Sequence, residues 1–175
     1  MKVRRTQSPY KEPASIGKRP RAPPPTHGKH VVMSTFDLTS QDLLKLNDAD
    51  LRDLVRRLCE AELVSQNLPT SAVLAGVAQE AVDGGLDVVV KLNQPLKTPN
   101  FIPRPYTGFQ VKKHGMTPKA CQNEMLYHSK APKSVIRELA AASGAYIMVT
   151  TDNCSDSMLK NRLAGMQRAV TIHCN

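Results

Sequence analysis

Four prolines, Pro95, Pro99, Pro103 and Pro105, separate the two clearest strand patterns of this chain and limit how a sheet can be threaded through it. Proline has no N–H to give to a ladder, so the stretch between Asn93 and Thr107 is expected to be a long loop. Before it, Leu86-Asp87-Val88-Val89-Val90 is a β-branched strand pattern entered through a turn at Asp83-Gly84-Gly85. After it, Gly108-Phe109-Gln110-Val111-Lys112-Lys113 alternates, with Phe109 and Val111 on one face and Gln110 and Lys112 on the other. Asp87, Gln110 and Lys112 are therefore expected to project from one edge of a strand pair.

The flanking sequence supplies helices. Asn47 or Asp48 can cap a helix over about residues 48–66, with Asp50 and Asp53 in its first turn and Leu51, Leu54, Val55, Leu58 and Leu63 as its apolar positions. Ala72-Val73-Leu74-Ala75-Gly76-Val77 is a short apolar run suited to a strand. Pro132 opens a helix over 133–142, and Gly144 parts it from a strand over 145–150. A last helix, capped by Ser155 or Asp156, is expected over about 157–170. Helix, two or three strands, helix, strand, helix implies an α/β sandwich with a central mixed sheet flanked by helices.

The charge is unevenly spread. Of the formal +9, residues 1–32 hold eight Lys or Arg against the single acid Glu12, a balance of +7, and the other 143 residues hold only +2. The same 32 residues contain six of the thirteen prolines and no apolar period, so they are expected to be a disordered basic tail, with one ordered domain over 33–175. Such a tail can bind polyanions; it can equally be sequence upstream of a natural start at Met33. No stretch approaches the roughly 18–20 apolar residues of a membrane span, and a cytoplasmic protein without a membrane partner is expected. With no Trp and 4% aromatic residues, the core must be aliphatic. Cys59, Cys121, Cys154 and Cys174 form no C-x-x-C pair and are expected to be reduced thiols, and His114, Cys121 and His128 do not have zinc-site spacing.

Hydrolysis of a phosphodiester needs a hard cation on oxygen ligands, a positioned water, and a positive group for the developing charge. A carboxylate, an amide oxygen and an ammonium on neighbouring strands supply those parts. Asp83-Gly84-Gly85-Leu86-Asp87 followed by Gln110-Val111-Lys112 resembles the Mrr-like branch of the PD-(D/E)xK nuclease superfamily, where a D-G-G-[IV]-D turn precedes a Q-x-K strand. That resemblance implies a restriction-endonuclease-like sandwich and a Mg²⁺- or Mn²⁺-dependent endonuclease acting on DNA. It makes Asp87 and Gln110 metal-facing and Lys112 the catalytic lysine, with a less defined role for Asp83.

The family commonly adds a glutamate from the first helix, and Glu60 and Glu62 compete for that place. With Leu51 as reference, positions 54, 55, 58 and 62 continue the inward stripe, which favours Glu62 as a third metal ligand and catalytic residue. Asp87, Asp83 and Glu62 are then expected to cluster and repel one another without a metal, so that Asp87→Asn would leave the metal-free fold at least as stable. Two features depart from the pattern. Twenty-three positions separate Asp87 from Gln110, and Gln110 stands where the wider superfamily has an acid. Tyr106–Lys112 and Ser143-Gly144-Ala145-Tyr146-Ile147 also look similar to bacterial antiphage defence proteins in which such a nuclease precedes an NTPase and sensor region, which implies an effector that works on self-association. The alternative is a catalytically silent domain of the same fold that binds DNA or a partner chain.

Overall fold

In the computed structural model, which describes residues 38–76 and 86–171, the Val-rich and Gln-Val-Lys segments lie side by side in a four-stranded sheet. The expected tail over 1–32 and the turn at Asp83-Gly84-Gly85 lie outside the described residues. Two helices come first, α1 (Ser40–Lys45) and α2 (Asp48–Ser65). Thr39 and Asp42 close a capping box at the start of α1, and the Asn47 side chain accepts from the Asp50 amide at the start of α2. A 3₁₀ turn at Thr70–Ala72 leads into β1 (Val73–Ala75), β2 (Val88–Lys91) and β3 (Tyr106–Lys112). Then come α3 (Pro118–Glu124), a two-stranded hairpin of β4 (Leu126–Tyr127) and β5 (Ala131–Pro132), α4 (Ser134–Ala141), β6 (Ala145–Thr150) and α5 (Asp156–Thr171).

The sheet order is β1-β2-β3-β6, antiparallel from β1 to β3 and parallel between β3 and β6. Parallel neighbours need a long crossover, and the segment holding α3, the hairpin and α4 supplies it. The mixed sheet and its helices agree with the α/β class expected from the sequence. α3 and the β4–β5 hairpin were not anticipated, although Thr117 caps α3 and Pro118 begins it. Pro132 pairs with Leu126 in the hairpin, so α4 begins at Ser134 and not at 133.

One face of the sheet is covered by α2. Leu51, Val55, Cys59 and Leu63, spaced four apart, pack on Val88, Val90, Phe109 and Val111. This stripe is rotated from the expected one: Leu58 is exposed, and Glu62 lies at the margin of the buried face. The opposite face meets a second cluster of Met125, Leu126, Ile136 and Ala169, with Tyr146 and Met148 of β6 against it. Gly165 lets α5 approach α3 closely, since a Cβ there would lie 2.2 Å from the Pro118 carbonyl oxygen.

The proline-rich segment runs as a loop, as expected, and it is tied down. The Gln66 side chain accepts from the Lys97 amide and donates to the Thr98 carbonyl, both at 3.0 Å, and Phe101 stacks on Phe109 with ring centres 5.1 Å apart. No helix among the described residues is long and apolar enough to cross a membrane.

Candidate functional site

β3 lies between β2 and β6, and its alternation decides what reaches the site. Thr107, Phe109 and Val111 turn to the α2 core, which leaves Gln110 and Lys112 on the face shared with Tyr146 and Met148 of β6. Asp87 stands one residue before β2, and its amide donates to the Phe109 carbonyl at 2.9 Å. That bond sets the carboxylate beside the second half of β3. Asp87 Oδ2 accepts from Gln110 Nε2 at 2.8 Å and from the Val111 amide at 2.7 Å. Asp87 and Gln110 are both buried, at 9% and 8% exposure, which raises the energetic weight of this contact. Leu86 completes the wall by lying over Gly108, where a Cβ would come within 2.2 Å of Leu86 Cδ1.

Arg52, near the start of α2, places Nη1 3.4 Å from Asp87 Oδ1. On the other side Lys112 Nζ lies 3.3 Å from Glu124 Oε1, at the end of α3, and Lys133 Nζ lies 3.5 Å from the same oxygen. Tyr146 of β6 is within range of the charges of both carboxylates. Burial pushes its phenol far above the ordinary tyrosine range, with the negative charges of Glu124 and Asp87 adding to the effect. Among the described residues this region holds two carboxylates, Asp87 and Glu124, and three cations, Arg52, Lys112 and Lys133.

Asp87 and Gln110 are therefore in direct contact, and Lys112 lies two residues further along the same face of β3, its ammonium against Glu124. Glu62 is not there. Its carboxylate accepts the Asn100, Phe101 and Ile102 amides at 2.8, 2.7 and 3.0 Å, at the far end of α2. Ten helical positions separate it from Arg52, about 15 Å along the axis. The helix position that faces Asp87 is an arginine, and Glu62 is a loop anchor. Glu60 pairs with Arg56 on the helix surface. The residues missing from the sequence reading are Arg52, Glu124, Lys133 and Tyr146. The Thr117-Pro118 start signal could have located α3 and so Glu124, whereas nothing local to Arg52 marks it.

Comparison with known protein families, with curated proteins and with solved structures gives no match.

Among the described residues no three His, Cys, Asp or Glu side chains converge as a ready metal cage. Mg²⁺ does not require one, because it retains several waters and takes one or two carboxylates together with substrate phosphate oxygens. Asp87 Oδ1, which among the described residues has only the long contact to Arg52, and the side-chain amide oxygen of Gln110 fit that sparse donor set. Glu62 does not, since both its oxygens are engaged by the loop amides.

Proposed function

We propose that this chain is a metal-dependent endodeoxyribonuclease domain of restriction-endonuclease-like architecture, an effector of a restriction or defence system. The observation that carries the reading is the contact of Asp87 with Gln110 on adjoining strands, with Lys112 two residues further along the same face. A mixed sheet with helices on both faces is the architecture that such a reading implies. Asp87 and Gln110 would hold Mg²⁺ or Mn²⁺, which lowers the pKa of a bound water and offsets charge on a phosphoryl oxygen.

The chain's own groups divide the remaining work. Lys112 places an ammonium beside the anionic centre, where it can stabilise charge that develops on a transferred phosphate. Arg52 presents a planar guanidinium, and its single long contact among the described residues, to Asp87, leaves most of its N–H groups for a phosphate oxygen. The Val111 amide and the Gln110 side chain hold the Asp87 carboxylate in one orientation. The buried strand pair supplies the rigid support that positioned chemistry needs.

One observation favours a second reading. Arg52 occupies the side of Asp87 from which a further acidic ligand would come, as in a domain of the same fold that binds DNA or a partner without cutting. Incubation with plasmid DNA and Mg²⁺ or Mn²⁺, against an EDTA control, separates the two. We expect nicked or linear product only with metal, and its loss in Lys112→Ala with the fold intact. No cleavage by the parent protein at any metal concentration, together with retained DNA retardation, would establish the silent module.

A further inference from the structure

Lys112 carries its charge on a flexible four-carbon stem, so a catalytic use of the ammonium requires something to hold it. We propose that Glu124 is the positioning residue of this centre: its carboxylate fixes the Lys112 ammonium, and Lys133 is the second cation that keeps that carboxylate in place. What Lys112 then does rests on the nuclease reading, whereas the three-residue ion cluster rests on its own geometry.

Both ammonium groups meet Glu124 Oε1, at 3.3 Å from Lys112 and 3.5 Å from Lys133. The three side chains are 35%, 21% and 16% exposed for Lys112, Glu124 and Lys133, so the cluster is partly shielded from solvent. Its backbone frame is rigid. The Lys133 amide donates to the Met125 carbonyl at 3.0 Å, Leu126 pairs with Pro132, and Met125 and Leu126 are both buried. Glu124 and Lys133 are thereby set against each other by the hairpin, and Lys112 reaches them from β3. α3 in turn is located by Pro118 against Gly165 of α5. Without the carboxylate two neighbouring ammonium groups would repel each other, and each would swing toward solvent. With it, each ammonium keeps two N–H donors for an incoming anion.

The test uses the full chain and the variants Glu124→Gln and Glu124→Asp. Acylation of individual lysines by an amine-reactive ester, read by mass spectrometry, reports the cluster without reference to activity. Glu124→Gln should speed labelling of Lys112 and Lys133 severalfold and leave the exposed Lys160 unchanged. In cleavage assays kcat should fall about 10- to 100-fold with KM held within about threefold, and Glu124→Asp should recover part of the rate, because a positioning loss acts on the chemical step. Unchanged labelling of Lys112 overturns the ion cluster. Faster labelling with an unchanged kcat in an active parent overturns the positioning role. If the parent does not cleave while labelling responds as expected, the nuclease reading fails and the cluster stands. Should Glu124→Gln not fold, labelling of Lys112 in Glu124→Asp decides, with a rise expected and parental labelling overturning the cluster.

Discussion

Asp87 shows how one carboxylate can serve a site and a fold together. The cluster of acids anticipated from the sequence would have made its charge a burden on the metal-free protein. Glu62 is not part of it, Asp83 lies outside the described residues, and the described neighbours of Asp87 are the Val111 amide, the Gln110 amide nitrogen and the Arg52 guanidinium. Neutralising Asp87 therefore removes stabilising contacts. We expect Asp87→Asn to lower stability by about 1–3 kcal/mol, the usual cost of leaving a buried charged group's partners poorly matched. Urea denaturation of the metal-free protein measures this, and a variant as stable as the parent would restore the acid-cluster picture. The same reversal applies to Glu62, an acid that faces backbone N–H groups where a metal had been expected.

Among the elements, α2 does two separate things at its two ends. Near its start Arg52 reaches the candidate site, and near its end Glu62 and Gln66 bind the loop that the four prolines keep out of the sheet. Three amides on one carboxylate give that loop a fixed path into β3, where Arg104 and Thr107 exchange further bonds. Glu62→Gln keeps the size of the side chain but loses the charge-assisted bonds. We expect a loss of about 2 kcal/mol in stability, with faster amide exchange at Asn100, Phe101 and Ile102 and an unchanged metal dependence of cleavage. Loss of metal-dependent cleavage without faster loop exchange would instead make Glu62 a ligand.

For the whole molecule, the buried thiols of the core couple stability to alkaline pH. Cys59 is fully buried against the sheet, and burial, followed by the charges of Glu62 and Glu60, pushes its thiol from 9.0 up to about 12. The folded state therefore disfavours the thiolate, so this contribution is fully present below about pH 9 and is lost as pH rises from 9 toward 12. Cys121 is shifted in the same direction by burial. Urea midpoints should fall over that range, and Cys59→Ala should flatten the fall; equal slopes for the variant and the parent would reject this origin. The strand pair, its proline loop and the placing of Gln110 and Lys112 on one face were legible in the sequence, because period-two alternation and proline chemistry act over a few residues. The contact between Asp87 and Gln110 followed once those strands paired. Which helix residues join them was not legible. A helix turns by about 100° per residue, so an error of one position exchanges one facing side chain for another. The actual stripe of Leu51, Val55, Cys59 and Leu63 takes Glu62 to the loop and brings Arg52 to Asp87. Glu124 reaches Lys112 from α3, which packs on α5 at Gly165, a contact between segments more than forty residues apart that no local pattern encodes.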